Sequence, residues 1–337
     1  MKSIAFIILL AVCLLWVGGC SKTVMHALYQ TNIIADDYRY GDLYRLSNLP
    51  QFKDPVTPCP SRHVASDSAR THLYIIGDSF TEPERLGKQD FPISYYRRVQ
   101  WGNQATVQLD PSAHNVLLIE SVERHFREHA AAQVRPIQNI AVVTDTSKTA
   151  VSTPASVPLG KQLVDLIHSE GIEERLETVL FSHDLFLWLK ELKAALTLAA
   201  FNRVSPNVSL SKNQQHVFIA LDTDSTKRLN AGTSSLADAE VAALINTVNE
   251  AAARYRSAGF DKVILSIIPN KATLLDPALP YNHLIERVQN HPDLNVPAVD
   301  IYTTFRQQTQ PVYAIGDSHW NCTGRALWLD AVTKQLR

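Results

Sequence analysis

The sequence predicts an α/β protein, a three-layer sandwich around a mainly parallel sheet with a helical insertion. Three observations lead there. Short apolar runs bounded by glycine, proline or acidic residues read as buried parallel strands. Amphipathic stretches at helical spacing lie between them. The two kinds alternate along 337 residues, enough for one large domain or two small ones.

The chain opens with "MKSIAFIILLAVCLLWVGGC", which has one lysine, an apolar run from Ile4 to Val17, two glycines and Cys20. This is the layout of a secretory signal and is short for a membrane-spanning helix. The small residues before Cys20 resemble a bacterial lipoprotein box. Residues 1–20 are then a lipoprotein-type signal peptide, and a lipidated Cys20 tethers the protein on the periplasmic side of a bacterial membrane. Ser21, where an aspartate would signal retention, points to the outer membrane. The alternatives are an ordinary signal peptide or an uncleaved anchor.

Residues 21–70 read as an irregular arm rich in Tyr, Pro and polar residues. The domain proper is expected over 71–337. "HLYIIG" (72–77), "HNVLLIE" (114–120), "HVFIALD" (216–222) and "DKVILSIIP" (261–269) read as buried strands, with "AVDIY" (298–302) a weaker fifth. "SVERHFREHAAAQV" follows the second strand as a helix. Residues 237–259 form another, with Gly259 as its stop. "TGRALWLDAVTKQLR" closes the chain as a helix, and Asn321 is its candidate N-cap. The alternation is interrupted at about 141–212 by a Ser/Thr/Pro-rich loop and two helical stretches, taken as an insertion in a single domain.

Hydrophobic content of 45% and a net charge of −1 suit a folded globular protein and give no basic surplus of the kind a nucleic-acid binder shows. Of four cysteines, a cleaved leader removes Cys13 and lipid occupies Cys20, which leaves Cys59 and Cys322 in an oxidising compartment. They form either a disulfide or two buried free thiols.

Chemistry-bearing residues cluster at strand ends, where open α/β sheets bind ligands. Ser79 in "YIIGDSFTEPERL" follows the first strand. It is either a nucleophile or the cap of the next helix. Asp317 and His319 in "YAIGDSHWNCTGRA" precede the last helix. Their spacing lets a carboxylate hold one imidazole nitrogen while the other faces a serine. Asp78 reads as structural, bonding nearby backbone N–H groups.

"GDSF" and "DSHW" resemble the corresponding blocks of the SGNH hydrolase superfamily, whose fold is a flavodoxin-like sandwich. "NVLLIESVER" and "IIPNKATLLDPALP" look like segments of its periplasmic polysaccharide O-acetylation branch, including the alginate proteins. In those the Asp–x–His segment precedes the serine segment; here Ser79 comes first, as in the wider superfamily. The Gly–x–Asn–Asp block that supplies an oxyanion-hole asparagine in many members has no clear counterpart. The resemblance implies a Ser79–His319–Asp317 triad that transfers an acetyl group to a polysaccharide hydroxyl, without cofactor or metal. It further implies an acyl donor supplied by a membrane-bound acyltransferase. With water as acceptor the same residues make an esterase. A non-catalytic polysaccharide-binding component is the reading of a different class.

Gly102, Asn103 and Arg124 are the candidate oxyanion donors beside the Ser79 backbone N–H. Arg124 either binds an anion or pairs internally with Glu120. Lys271 either contacts an acidic sugar or is solvated. Trp320 is a packing wall beside His319 or a substrate platform. "HFREH" (125–129) matches an inverted zinc-protease motif, but a solvated helix face is the simpler expectation, and no metal is assigned. "SHD" (182–184) places three triad residue types in a row, where side chains of one helix diverge.

Overall fold

The computed structural model describes residues 2–20, 28, 31, 38–62, 70–142 and 183–336. Its strands are β1 (Thr71–Gly77), β2 (Tyr95–Gln100), β3 (Ala105–Leu109), β4 (His114–Val122), β5 (Ile137–Val142), β6 (Val208–Leu210), β7 (Val217–Ile219) and β8 (Lys262–Ile268). Four of them build a central sheet in the order β2-β1-β4-β8. Every pairing in it is parallel. A parallel bridge from Leu265 to Ala298 extends it by one position beyond β8. β3 pairs with β5 in parallel, and β6 with β7 antiparallel.

The apolar runs of β1, β4 and β8 are buried on both faces, as a parallel sheet under crossover helices requires. Tyr74, Ile76, Leu117, Ile119, Val263 and Leu265 point to one face, where they join apolar residues of helices Glu123–Ala131, Asp238–Ser257 and Leu284–Gln289. Leu73, Ile75, Val116, Leu118, Ile264 and Ile268 point to the other, against helices Ile301–Arg306 and Cys322–Leu336. The result is an α/β architecture with helices on both sides of a parallel sheet.

Local signals place the helix ends. The Asn321 side chain accepts the Gly324 N–H at 3.1 Å and caps the last helix. Gly259, at φ +110°, follows the long helix Asp238–Ser257 in a conformation other residues adopt at a cost.

Two expected strands are corrected. In 216–222 only Val217–Ile219 is extended; it pairs with Val208–Leu210 outside the central sheet, and Ala220–Thr223 turns into a short helix. The run is apolar because Val217 and Phe218 are buried, not because it is a sheet strand. In 298–302 only Ala298 bridges to the sheet, and Ile301 already begins a helix whose N-cap is Asp300.

The chain divides into two compact units: Met1–Tyr40 with Asn48–Pro55 and Ser147–Val204, and Gly41–Ser47 with Val56–Thr146 and Ser205–Arg337. The second holds the sheet. The arm expected over 21–70 is thus shared, since Gly41–Ser47 and the segment from Val56 belong to the sheet-bearing unit. The Ser/Thr/Pro-rich loop, the helical stretch 160–171 and the start of the next lie outside the described residues, which resume with helix Asp184–Phe201. Lys2–Cys20 is helical; the Cys20 side chain lies outside the described residues. Among the described residues, no helix is long and apolar enough to cross a membrane.

Cys59 and Cys322 are joined, with S–S 2.12 Å and Cα atoms 5.2 Å apart, 263 residues apart in sequence. The bond fastens the segment before β1 to the first residue of the last helix. Cys322→Ser is expected to lower unfolding stability in urea by about 2–5 kcal/mol, and the wild-type protein to run faster on a non-reducing gel than on a reducing one. Equal mobility and unchanged stability would refute the link.

Candidate active site

The site is built at the carboxyl ends of β1, β4 and β8. β1 ends at Gly77, where an added Cβ would lie 2.1 Å from Thr81 Oγ1 and 2.7 Å from Glu120 Oε2, so the chain can turn here only without a side chain. Asp78 then caps a single 3₁₀ turn, Ser79–Thr81. One Asp78 carboxylate oxygen accepts the Phe80 N–H at 3.3 Å and the other the Val122 N–H at 2.6 Å. Asp78 is therefore the cap, and the Ser79 hydroxyl is released from that role.

Buried Glu120 lies beneath this turn. Its Oε2 accepts the Asp78 N–H at 3.0 Å and the Thr81 hydroxyl at 3.1 Å. Burial, reinforced by the Asp78 carboxylate, pushes its carboxyl well above the usual range. Arg98 of β2 completes the support. It donates to Thr81 Oγ1 at 3.2 Å and to the Gly77 and Asp78 carbonyls at 3.2 and 2.6 Å. Among the described residues the Ser79 N–H makes no hydrogen bond within the protein.

The partner loop runs from Tyr313 to Trp320 and is held from two sides. The Lys271 ammonium, inside the protein, donates to the Ile315 and Asp317 carbonyls at 2.7 and 3.1 Å. Burial pulls its pKa down to about 8 against the pull of Asp42 and Asp317. From the other side, the Asp42 carboxylate accepts the Ser318 N–H at 2.7 Å and its hydroxyl at 2.5 Å. Gly41, at φ +90°, allows this approach, because a Cβ there would lie 2.4 Å from the Gly316 carbonyl oxygen.

This clamped loop presents His319. Its Nδ1 lies 2.6 Å from Asp317 Oδ1 and its Nε2 2.7 Å from Ser79 Oγ. The Asp317 carboxylate also accepts the His319 N–H at 2.8 Å. Burial opposes ionisation of Asp317, but the His319 hydrogen bond and charge, with Arg85 nearby, outweigh it and hold the group well below the usual carboxylate range. The Arg85 guanidinium lies 3.1 Å from His319 Nδ1. Phe80 packs on the imidazole at 4.7 Å between centroids and fixes the ring plane. The structure thus brings Ser79, His319 and Asp317 into one hydrogen-bonded row.

The other predicted site residues are placed differently. Gly102 and Asn103 form an exposed turn closed by the Asn103 N–H to the Gln100 carbonyl, 3.2 Å. The preceding Trp101 packs on the sheet face opposite Phe80, and no hydrogen bond joins either residue to the row. Trp320 is a core residue. It meets Phe80 edge-on at 4.9 Å and Trp328 at 5.2 Å, which leaves Phe80, not Trp320, against His319. Lys271 is neither solvated nor turned to a ligand, because both carbonyls it holds belong to the loop.

Buried Arg124 pairs with Asp222 at 3.3 Å and not with Glu120, which accepts the Asp78 N–H of the serine turn. Burial opposes its charge, yet Asp222, Asp78 and Asp42 together raise its pKa above the ordinary value. The Asn270 side chain accepts the Arg124 backbone N–H at 3.1 Å. Glu123 next to it accepts the Asn270 N–H at 2.9 Å and the Thr273 hydroxyl at 2.8 Å. Burial pushes its pKa up to about 7.

His125 and His129 have separate hydrogen-bond partners. His129 Nδ1 is bonded to Ser121 Oγ at 2.8 Å, its ring is stacked on Trp101 at 3.9 Å, and burial lowers its pKa to about 4. Half-buried His125 meets exposed Glu128 at 3.2 Å. Among the described residues, the one set of carboxylate and imidazole atoms close enough to share a cation is Asp42, Asp317 and His319, within 4.8 Å of one another. In "SHD", Asp184 pairs with Arg39 at 3.2 Å, His183 precedes the helix as its N-cap residue, and Ser182 lies outside the described residues. Asp42, Arg85 and Asp222 carried no local signal beyond their residue type; each meets its partner across a long sequence gap.

No protein-family model, no curated protein and no solved structure matches the chain. What the fold and site define is a parallel α/β protein with a serine, a histidine and an aspartate aligned at its strand ends.

Glu123 gives a pH prediction. Its folded-state pKa of about 7 lies above the ordinary value, so the folded state holds its proton more tightly and stability falls as pH rises from about 4.5 through 7. Relative to wild type, Glu123→Gln is expected to gain stability over that interval, by up to about 3 kcal/mol, in urea titrations at pH 5 and pH 8. A constant difference between the two proteins would refute the assignment.

Proposed function

We propose that this chain is a member of the SGNH hydrolase superfamily and a serine-dependent O-acyltransferase, acting on a cell-surface or extracellular polysaccharide through an acyl-enzyme on Ser79. The observation that carries the reading is the 2.7 Å and 2.6 Å hydrogen-bonded row from Ser79 Oγ through His319 to Asp317. A helix cap or a binding surface needs no such row.

In the proposed cycle, Ser79 Oγ attacks the carbonyl carbon of an acyl ester while His319 Nε2 takes its proton. Asp317 keeps the proton of His319 on Nδ1 and balances the imidazolium. The Ser79 N–H supports the oxyanion. As the tetrahedral centre collapses, the bond to the donor oxygen breaks and His319 returns the proton to that leaving oxygen. An acceptor hydroxyl then gives its proton to His319 and attacks the acyl-enzyme; the new ester forms, the bond from the acyl carbon to Ser79 Oγ breaks, and His319 returns the proton to Oγ. Asp42 and Lys271 are positioning residues, since they touch only the loop.

The acyl group is taken as acetyl and the donor as the product of a membrane-bound acyltransferase, on the motifs shared with the polysaccharide O-acetylation branch. The lipid-tethered, outer-membrane placement rests on the Cys20 segment. Ser79 is partly exposed, so water reaches it, and this favours an esterase as the second reading.

Purified protein is incubated with p-nitrophenyl acetate, with and without acidic and neutral oligosaccharides, and the intact masses of protein and sugars are recorded. The proposal expects an acetylated protein and acetylated sugar, with turnover reduced roughly 10⁴-fold or more in Ser79→Ala. Hydrolysis indifferent to sugar identifies the esterase. Absence of both turnover and acyl-enzyme would contradict catalysis and leave a binding component. Lys271→Met is expected to lower kcat by roughly 10–100-fold with little change in KM, because it loosens the loop and not the substrate; a change confined to KM would assign Lys271 to substrate binding instead.

A further inference from the structure

Two acidic side chains meet at the serine turn with no cation between them. Glu120 is fully buried on β4, and Asp78 follows β1. The Asp78 N–H donates to Glu120 Oε2 at 3.0 Å, and the two carboxyl groups are close enough to share a hydrogen bond directly. Arg98 packs on the same turn, but its bonds go to Thr81 Oγ1 and to the Gly77 and Asp78 carbonyls. Among the described residues neither carboxyl has an ion-pair partner.

Two negative charges so placed repel strongly in a site largely closed to water, so one of the carboxyls keeps a proton. The bonding pattern distinguishes them. Both Asp78 oxygens accept backbone amides, from Phe80 at 3.3 Å and from Val122 at 2.6 Å, which is the pattern of an ionised carboxylate. Glu120 differs. Its Oε2 accepts two donors, whereas Oε1 is buried and among the described residues receives none. Beside a carboxylate, an oxygen that accepts nothing is the place for an acid proton. Oε1–H then donates to Asp78, and Oε2 serves as the carbonyl acceptor. The neighbouring groups supply no other donor. The buried Tyr96 hydroxyl of β2 also lacks a partner among the described residues and is near enough to feel the Glu120 charge, yet the two make no hydrogen bond. Arg124 and His129 act on Asp78 from a distance, and their side chains are bonded to Asp222 and Ser121.

We propose that Glu120 is a positioning residue that works as the neutral acid: one proton, on Oε1, joins the Glu120 and Asp78 carboxyls and holds the Ser79 turn against β4. Asp78 caps that turn, so its direction sets where Ser79 Oγ lies relative to His319 Nε2. Gly77 makes room for the acid, since a Cβ there would lie 2.7 Å from Glu120 Oε2. The proton assignment stands apart from the acyltransferase reading, and only its effect on turnover rests on that reading. Glutamine has one acceptor oxygen and one donor nitrogen and so reproduces the neutral acid. Methionine fills a similar volume with neither.

Carbon-13 NMR of the full chain with labelled glutamate carboxyls tests the proton, and the Glu120 signal is identified by its loss in Glu120→Gln. At pH 7 it is expected at the protonated-acid position, apart from the exposed glutamates, which are ionised there. An ionised Glu120 at pH 7 would overturn the proposal whether or not the protein turns over any ester. The rate measurement uses p-nitrophenyl acetate. Glu120→Met is expected to lower kcat by roughly 10–100-fold with little change in KM, and Glu120→Gln to recover most of that loss. Glu120→Gln as slow as Glu120→Met would also overturn the proposal, because the turn would then need the charge and not the shared proton. A wild-type protein without turnover removes the acyltransferase reading alone, and the carboxyl signal still decides the proton.

Discussion

A buried carboxyl group costs free energy unless its oxygens find hydrogen-bond donors or its proton is retained, and the carboxyl edge of the central sheet is organised by that requirement. Asp78 and Glu120 take the amides of residues 78, 80 and 122 and the Thr81 hydroxyl. Asp42 takes the amide and hydroxyl of Ser318. Glu123 takes the Asn270 amide, and Asp222 takes Arg124. Apart from the local Asp78–Phe80 cap, these bonds tie together segments remote in sequence, so satisfying these acids fixes where the serine turn and the histidine loop must lie.

The two halves of the site are positioned by different means. The serine turn hangs on β1 and β4, rigid parts of a sheet buried on both faces, and is locked by Gly77 and Arg98. The histidine loop has no ladder of its own beyond a bridge between Tyr313 and Trp320. It depends on Lys271, Asp42 and the Tyr313 hydroxyl, which donates to the Pro269 carbonyl. The Cys59–Cys322 bond lies immediately past this loop, where loosening of the last helix would otherwise reach His319.

Much of this was readable from local sequence. β1, β4 and β8 declared themselves because strands buried on both faces are unbroken apolar runs. β2 did not: it is an edge strand, "YYRRVQ", whose burial alternates and whose Arg98 serves the serine turn. The run at 216–222 reads as a buried sheet strand, yet only Val217, Phe218 and Asp222 in it are buried and it lies outside the central sheet, since periodicity over so few residues cannot separate the two. Ser79, Asp317 and His319 stood out because each lies in a short block at a strand or helix end. Arg124 stands out near a strand end, but its partner Asp222 does not, and nothing local to Lys271 marks it as buried. Ion pairs closed across about a hundred residues leave no trace in spacing.

The account turns on the orientation of one imidazole. Nitrogen-15 and proton NMR of histidine-labelled protein, assigned among the twelve histidines with a His319→Asn variant, reads it directly. The structure predicts an unprotonated Nε2 and a strongly downfield Nδ1 proton that vanishes in Asp317→Asn and persists in Ser79→Ala. A proton resident on Nε2, or a spectrum indifferent to Asp317, would contradict the arrangement on which the proposed chemistry rests.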